Sequence, residues 1–85
     1  MPKTIRSPGH EALRASLVAL RQEAGLTQED LAGRLHCHQS FVARIESGQR
    51  RIDIVELIVL ARALQVEAQS ILERVNQATP SDHRI

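Results

Sequence analysis

Residues 27–48, TQEDLAGRLHCHQSFVARIESG, hold two helix-length segments with only three residues between them. That spacing constrains the fold more than any other feature of the chain. Thr27 and Asp30 stand three apart, the arrangement of a capping box that opens a helix. Leu31, Ala32 and Leu35 form the inner face of that helix. His36, Cys37 and His38 follow, and a second helix runs from about Gln39 to Ser47, closed by Gly48.

A short helix, a turn of about three residues and another short helix make the helix-turn-helix pattern. The turn needs one residue with positive φ, usually glycine. Here His36 holds that place, at a cost in strain. Cys37 is expected to point inward as a small hydrophobe. His38 stands where Ser or Thr would cap the next helix. A metal site is the competing reading of these three residues. Structural zinc wants four ligands, with gaps of two to four residues within a pair. Three consecutive residues do not easily face one ion, and His10 and His83 lie near the termini. No metal and no cofactor are expected.

Three further helices flank this unit. Ser7 reads as an N-cap and Pro8 as the first helical position of the first. Leu13, Leu17, Leu20 and Ala24 share its inner face, and Gly25 ends it in a left-handed conformation. Asp53 caps a fourth helix, IDIVELIVLARALQV, and EAQSILERVNQA is a fifth, with Leu72 and Val75 inward. TPSDHRI reads as a frayed tail.

A chain of 85 residues makes one small domain. Such a domain buries only about 60% of its unfolded surface, so a partner subunit would help. One cysteine permits no internal disulfide and fits a reducing compartment. No apolar run approaches the ~18 residues of a membrane span. MPKTIRSPGH lacks the apolar core of a signal peptide, so the expected location is the cytoplasm. The net charge is +1, but ten of the eleven basic residues are Arg, the better fork for phosphate and guanine. Trp and Tyr are absent and there is one Phe, which argues against base-stacking platforms for single strands. No Ser–His–acid, paired-carboxylate or phosphate-loop arrangement stands out, so an enzyme is not expected.

The helix at 39–47 has two faces. Val42 and Ile45 belong in the core, while Gln39, Ser40, Ala43, Arg44 and Ser47 line the other side. A solvated helix face has the same composition. A DNA-reading face does too, because Gln pairs bidentately with adenine and Arg with guanine. Arg50 and Arg51 follow the helix, placed to clamp phosphates.

LRQEAGLTQEDLAGRL followed by QSFVARIESGQRRIDIVELIVLARAL resembles the Cro/C1-type (Xre-family) helix-turn-helix domain, over about Leu13 to Val75. LTQEDLA and RIESG at this separation carry the resemblance. It implies an all-α, five-helix, lambda-repressor-like DNA-binding domain. The whole chain, 1–85, is then one domain with a helical core at 8–76 and the helix-turn-helix at about 28–47. The ends, 1–6 and 79–85, are expected to be flexible.

The resemblance also implies roles. Gln28 opens the second helix and touches a phosphate; Gln39 and Ser40 read bases first, with Ala43 and Arg44 after them. Arg21 and Glu46 pair to tie the first helix to the third. His36 and His38 depart from the family's Gly and Ser or Thr, and Ala43 is too short to hydrogen-bond a base edge but can meet a thymine methyl. Phe41 either packs at the core's edge or lies against the DNA backbone, and packing is expected.

The fourth helix is apolar on two sides. Ile54, Leu57, Leu60, Ala61 and Leu64 make one face, and Val55, Ile58 and Val59 a second. One face covers the core. The other is covered by the fifth helix and tail, or forms a homodimer interface. A homodimer suits a palindrome read by two helices about 34 Å apart. The expected function is therefore a dimeric DNA-binding regulator, a repressor or autoregulator. The alternatives are an antitoxin with a toxin partner, or a protein-interaction module without DNA binding.

Overall fold

The computed structural model describes residues 7–85; the flexible end expected at 1–6 lies outside the described residues. Five helices follow in order: α1 (Pro8–Glu23), α2 (Gln28–Leu35), α3 (Gln39–Ser47), α4 (Ile54–Leu64) and α5 (Ala68–Ala78). There is no strand among the described residues, so the all-α expectation holds.

The starts obey local rules. The Ser7 side chain accepts from the His10 N–H, with Pro8 in the first turn. Thr27–Asp30 and Asp53–Glu56 both close as full capping boxes. The two Thr27 hydrogen bonds hold the Asp30 carboxyl below its usual range. Arg50 and the Asp53 backbone do the same for Glu56.

The ends are alike too. After α1, α2, α3 and α4 one residue turns left-handed: Gly25, His36, Gly48 and Gln65, with φ of 73°, 57°, 82° and 59°. The next N–H then reaches back to a carbonyl five residues earlier, as Leu26 does to Arg21 and Cys37 to Ala32. The His36 reading is borne out. Gln65 was not anticipated; it stops α4 before Gln65–Val66, which the periodicity had placed inside the helix.

His36 in this conformation costs about 1 kcal/mol that glycine escapes. Glycine also loses more backbone entropy on folding, so the two effects partly cancel. His36→Gly should therefore keep the fold and hold or raise stability by a fraction of a kcal/mol. A chelator that lowered the melting temperature of the parent protein would sink this reading of the turn. Among the described residues no three His, Cys, Asp or Glu side chains gather as metal ligands.

The core joins Leu17 of α1, Leu31 and Ala32 of α2, Val42 and Ile45 of α3, Leu57, Leu60, Ala61 and Leu64 of α4, and Ile71 of α5. Phe41 and Cys37 pack against its edge, as expected. Burial pushes the Cys37 thiol pKa up.

Three assignments change. Ile71, not Leu72, is the inward residue of α5: Ile71 is fully buried and Leu72 is 52% exposed. The stripe that packs is Ala68, Ile71, Val75 and Ala78, whose alanines give little hydrophobic signal. Ile54 leaves the core face and is 63% exposed. At about 100° per residue it lies roughly 70° from the middle of the Leu57–Leu64 stripe, towards Ile58. Ala24 is exposed because α1 has already ended at Glu23.

The second face of α4 is open. Val55, Ile58 and Val59 are 37–64% exposed, so among the described residues neither α5 nor the tail covers them. Together with Ile54 they make one apolar strip. Val55 and Val59 also border a shallow groove with Leu35, Cys37, Phe41 and Leu60.

Candidate nucleic-acid interface

The angle of α3 is set by ionic contacts from α1. Arg21 Nε donates to Glu46 Oε2 at 2.7 Å, and Arg21 Nη2 to Oε1 at 3.1 Å. Arg21 Nη1 donates to the Leu26 carbonyl at 2.8 Å, so the same guanidinium also holds the turn before α2. Both side chains are largely buried, at 12% and 8% exposure. A paired carboxylate near the end of a nine-residue helix fixes that helix far better than a surface pair does.

Arg14 was not anticipated. It lies two turns before Arg21 on α1 and donates from Nη1 to the Glu46 carbonyl at 2.7 Å. It also pairs with Glu11. A Cβ on Gly48 would stand 3.1 Å from Arg14 Nε, so the left-handed Gly48 also gives Arg14 room to reach the end of α3. The sequence signal was the seven-residue repeat of Arg14 and Arg21, which puts both on one side of α1.

Gln28 turns inward as well as outward. Its Nε2 donates to Glu46 Oε1 at 2.9 Å, and its Oε1 accepts from Gln39 Nε2 at 2.7 Å. The first residues of α2 and α3 are thus joined side chain to side chain. Gln39, Ser40, Arg44 and Ser47 are exposed and Ala43 is half-buried between them. Val42 and Ile45 on the other side are 2% exposed. Ser47 Oγ donates to the Arg44 carbonyl at 3.2 Å. His38 is exposed at the N-cap of α3, and its side chain makes no cap hydrogen bond.

The two arginines after α3 part company. Arg51 is exposed. Arg50 is drawn back: it meets both oxygens of Glu56 at 3.0 and 2.8 Å and lies 4.7 Å from the centre of the Phe41 ring.

The surface is thus a polar, exposed helix face beside a helix N-terminus, braced from behind. No helix of the described residues is long and apolar enough to cross a membrane. The helix-turn-helix family model matches residues 17–71. An uncharacterized HTH-type transcriptional regulator, y4dJ, of Sinorhizobium fredii is 34% identical over 68 residues, 80% of each chain. The solved structure of an XRE-family like protein from Pseudomonas syringae pv. tomato covers 92% of this chain and 95% of its own. Its TM-score is 0.81 at 36% identity. The clp gene regulator ClgR of C. glutamicum shares the fold, with a TM-score of 0.72 at 23% identity, over 82% of this chain and 90% of its own. With its α2–turn–α3 unit inside the matched region, the chain belongs to the Cro/C1-type (Xre) family of helix-turn-helix DNA-binding regulators.

Proposed function

We propose that this protein is a bacterial, cytoplasmic transcriptional regulator that binds double-stranded DNA as a homodimer. It acts as a repressor or autoregulator and reads a palindromic operator with α3. The carrying observation is the exposed row Gln39, Ser40, Arg44 and Ser47 on a helix held from behind by the Arg21–Glu46 pair. A merely solvated helix needs no such bracing. The description of y4dJ as a transcriptional regulator supports the reading.

In this reading Gln39, Ser40 and Arg44 contact base edges, and Ala43 a thymine methyl. Gln28 and the N-terminus of α2 meet a phosphate, as do His38, Ser47 and Arg51 at the rim. Arg50 joins them only by exchanging Glu56 for a phosphate. Dimerisation through Val55, Ile58 and Val59 places the two α3 helices on one side of the duplex, one turn apart.

Selection from a random duplex pool tests the proposal. Enrichment of an inverted repeat, with affinity falling steeply as salt rises, is the expected result. A pool that stays unenriched, with no salt-dependent duplex binding, overturns it. Arg44→Ala should weaken the selected site by about 1–3 kcal/mol and relax preference at one base pair per half-site. A uniform loss on all sequences would make Arg44 a phosphate contact.

A further inference from the structure

Arg50 carries the fork that fits a phosphate, but that fork is already filled. We propose that Glu56 is a built-in competitor for DNA phosphate: it holds Arg50 off the duplex and so sets a ceiling on the protein's affinity for any DNA. The inference rests on the DNA-binding reading and names a restraint on that same surface.

Arg50 is fastened to α3 by its backbone, whose N–H donates to the Arg44 carbonyl at 3.2 Å. Its side chain then turns towards α4. Nη1 and Nη2 donate to the two Glu56 oxygens at 3.0 and 2.8 Å, and Nη1 also to the Arg51 carbonyl at 2.8 Å. The guanidinium lies 4.7 Å from the centre of the Phe41 ring, so an aromatic face supports it too. Arg44 and Arg51, its neighbours on this surface, are exposed. The pair itself is partly open, at 38% and 28% side-chain exposure, so a phosphate can approach it.

Arginine takes a carboxylate and a phosphate with the same two-pronged geometry. A phosphate therefore gains Arg50 only by displacing Glu56. While the two stay paired their charges cancel, and together they add nothing to the attraction for a polyanion. Glu56 cannot follow Arg50 outward, because Oε1 also accepts the Asp53 N–H at 3.1 Å in the capping box of α4. That box needs no charge, since glutamine serves at the same place. A neutral residue there would start α4 equally well and leave Arg50 for DNA. Ordinary exposed ion pairs contribute little. This one has two charge-assisted hydrogen bonds with a carbonyl and a ring behind them, and Arg50 holds the Glu56 carboxyl below its usual range.

A double-mutant cycle on duplex affinity tests the competition. The probe is a random-sequence duplex, titrated from low to high salt. At about 0.1 M salt Glu56→Gln should bind about three- to tenfold tighter for each protomer bound. Its slope of log affinity against log salt should steepen by about 0.9 per protomer, the signature of one more phosphate neutralised. In an Arg50→Gln background the same substitution should change affinity by less than about twofold and leave the slope unchanged. A melting curve checks that each variant is folded. Should Glu56→Gln not fold, Glu56→Ala replaces it, since Asp53 Oδ1 still accepts the backbone N–H at that position, 2.7 Å away here.

Equal gains with and without Arg50, in a protein that binds duplex, assign the effect to general charge and overturn the inference alone. A Glu56→Gln protein with the affinity and slope of the parent does the same. A parent protein with no salt-dependent duplex binding overturns the DNA-binding reading and the inference with it.

Discussion

Arg21→Met is expected to lower stability by about 3–5 kcal/mol, the usual loss when one partner of a buried ion pair is removed and the other stays. The Glu46 carboxylate, at 8% exposure, would be left with only the Gln28 amide beside it. The Leu26 carbonyl would also lose its donor. At roughly 0.05–0.15 kcal/mol per residue, a loss of this size is a large share of what an 85-residue domain holds. The midpoint of urea unfolding measures it. The double variant Arg21→Met, Glu46→Leu should recover much of the loss, because an apolar pair of similar volume replaces two charges. It should not recover operator binding, since α3 loses the contact that sets its angle and Gln28 loses its anchor. A single variant within ~1 kcal/mol of the parent would place the pair among ordinary surface ion pairs and remove its claim to brace the helix.

Ile58→Glu should turn a dimer into a folded monomer. Ile58 lies in the open strip of α4 with Ile54, Val55 and Val59, while Leu57, Leu60, Ala61 and Leu64 fill the core from the other side. Each aliphatic side chain buried across a two-fold axis contributes about 1.5–3 kcal/mol, and symmetry doubles each one. A glutamate there sets two like charges close together and leaves both without partners. Helical content should stay, because nothing in the core changes. Affinity for a palindrome should fall by about 10²–10⁴, the gain that linking two sites provides, while salt-dependent non-specific binding persists. Sedimentation and circular dichroism on one sample decide the matter. A variant that still sediments as a dimer puts the interface elsewhere, and one that unfolds puts Ile58 in the core.

What the sequence determined by itself lies at short range. Ser7, Thr27 and Asp53 were readable as caps because each bonds a backbone N–H three residues on. His36 was readable as left-handed because a three-residue turn between two helices demands such a residue. Gln65 carries no such signal: it adopts the same conformation with no glycine to announce it, and the apolar pattern runs on through Val66. The polar face of α3 was legible from Val42 and Ile45 alone, since a helix puts residues three apart on one side.

Tertiary structure decided the rest, for a physical reason. Periodicity gives the direction of a side chain around its helix, but not what stands there. Ile71 and Leu72 are adjacent apolar residues, and only the packing of α5 on α1 selects the first. Ile54 lies at the margin of the core stripe, roughly 70° from its middle, and ends in solvent. The family pattern pointed to the Arg21–Glu46 pair, but the Arg14 contact and the chain through Gln28 to Gln39 were beyond reach. They join residues 11 to 32 apart through hydrogen bonds whose existence depends on ångström placement. Residue types list donors and acceptors; the folded chain alone decides which of them meet.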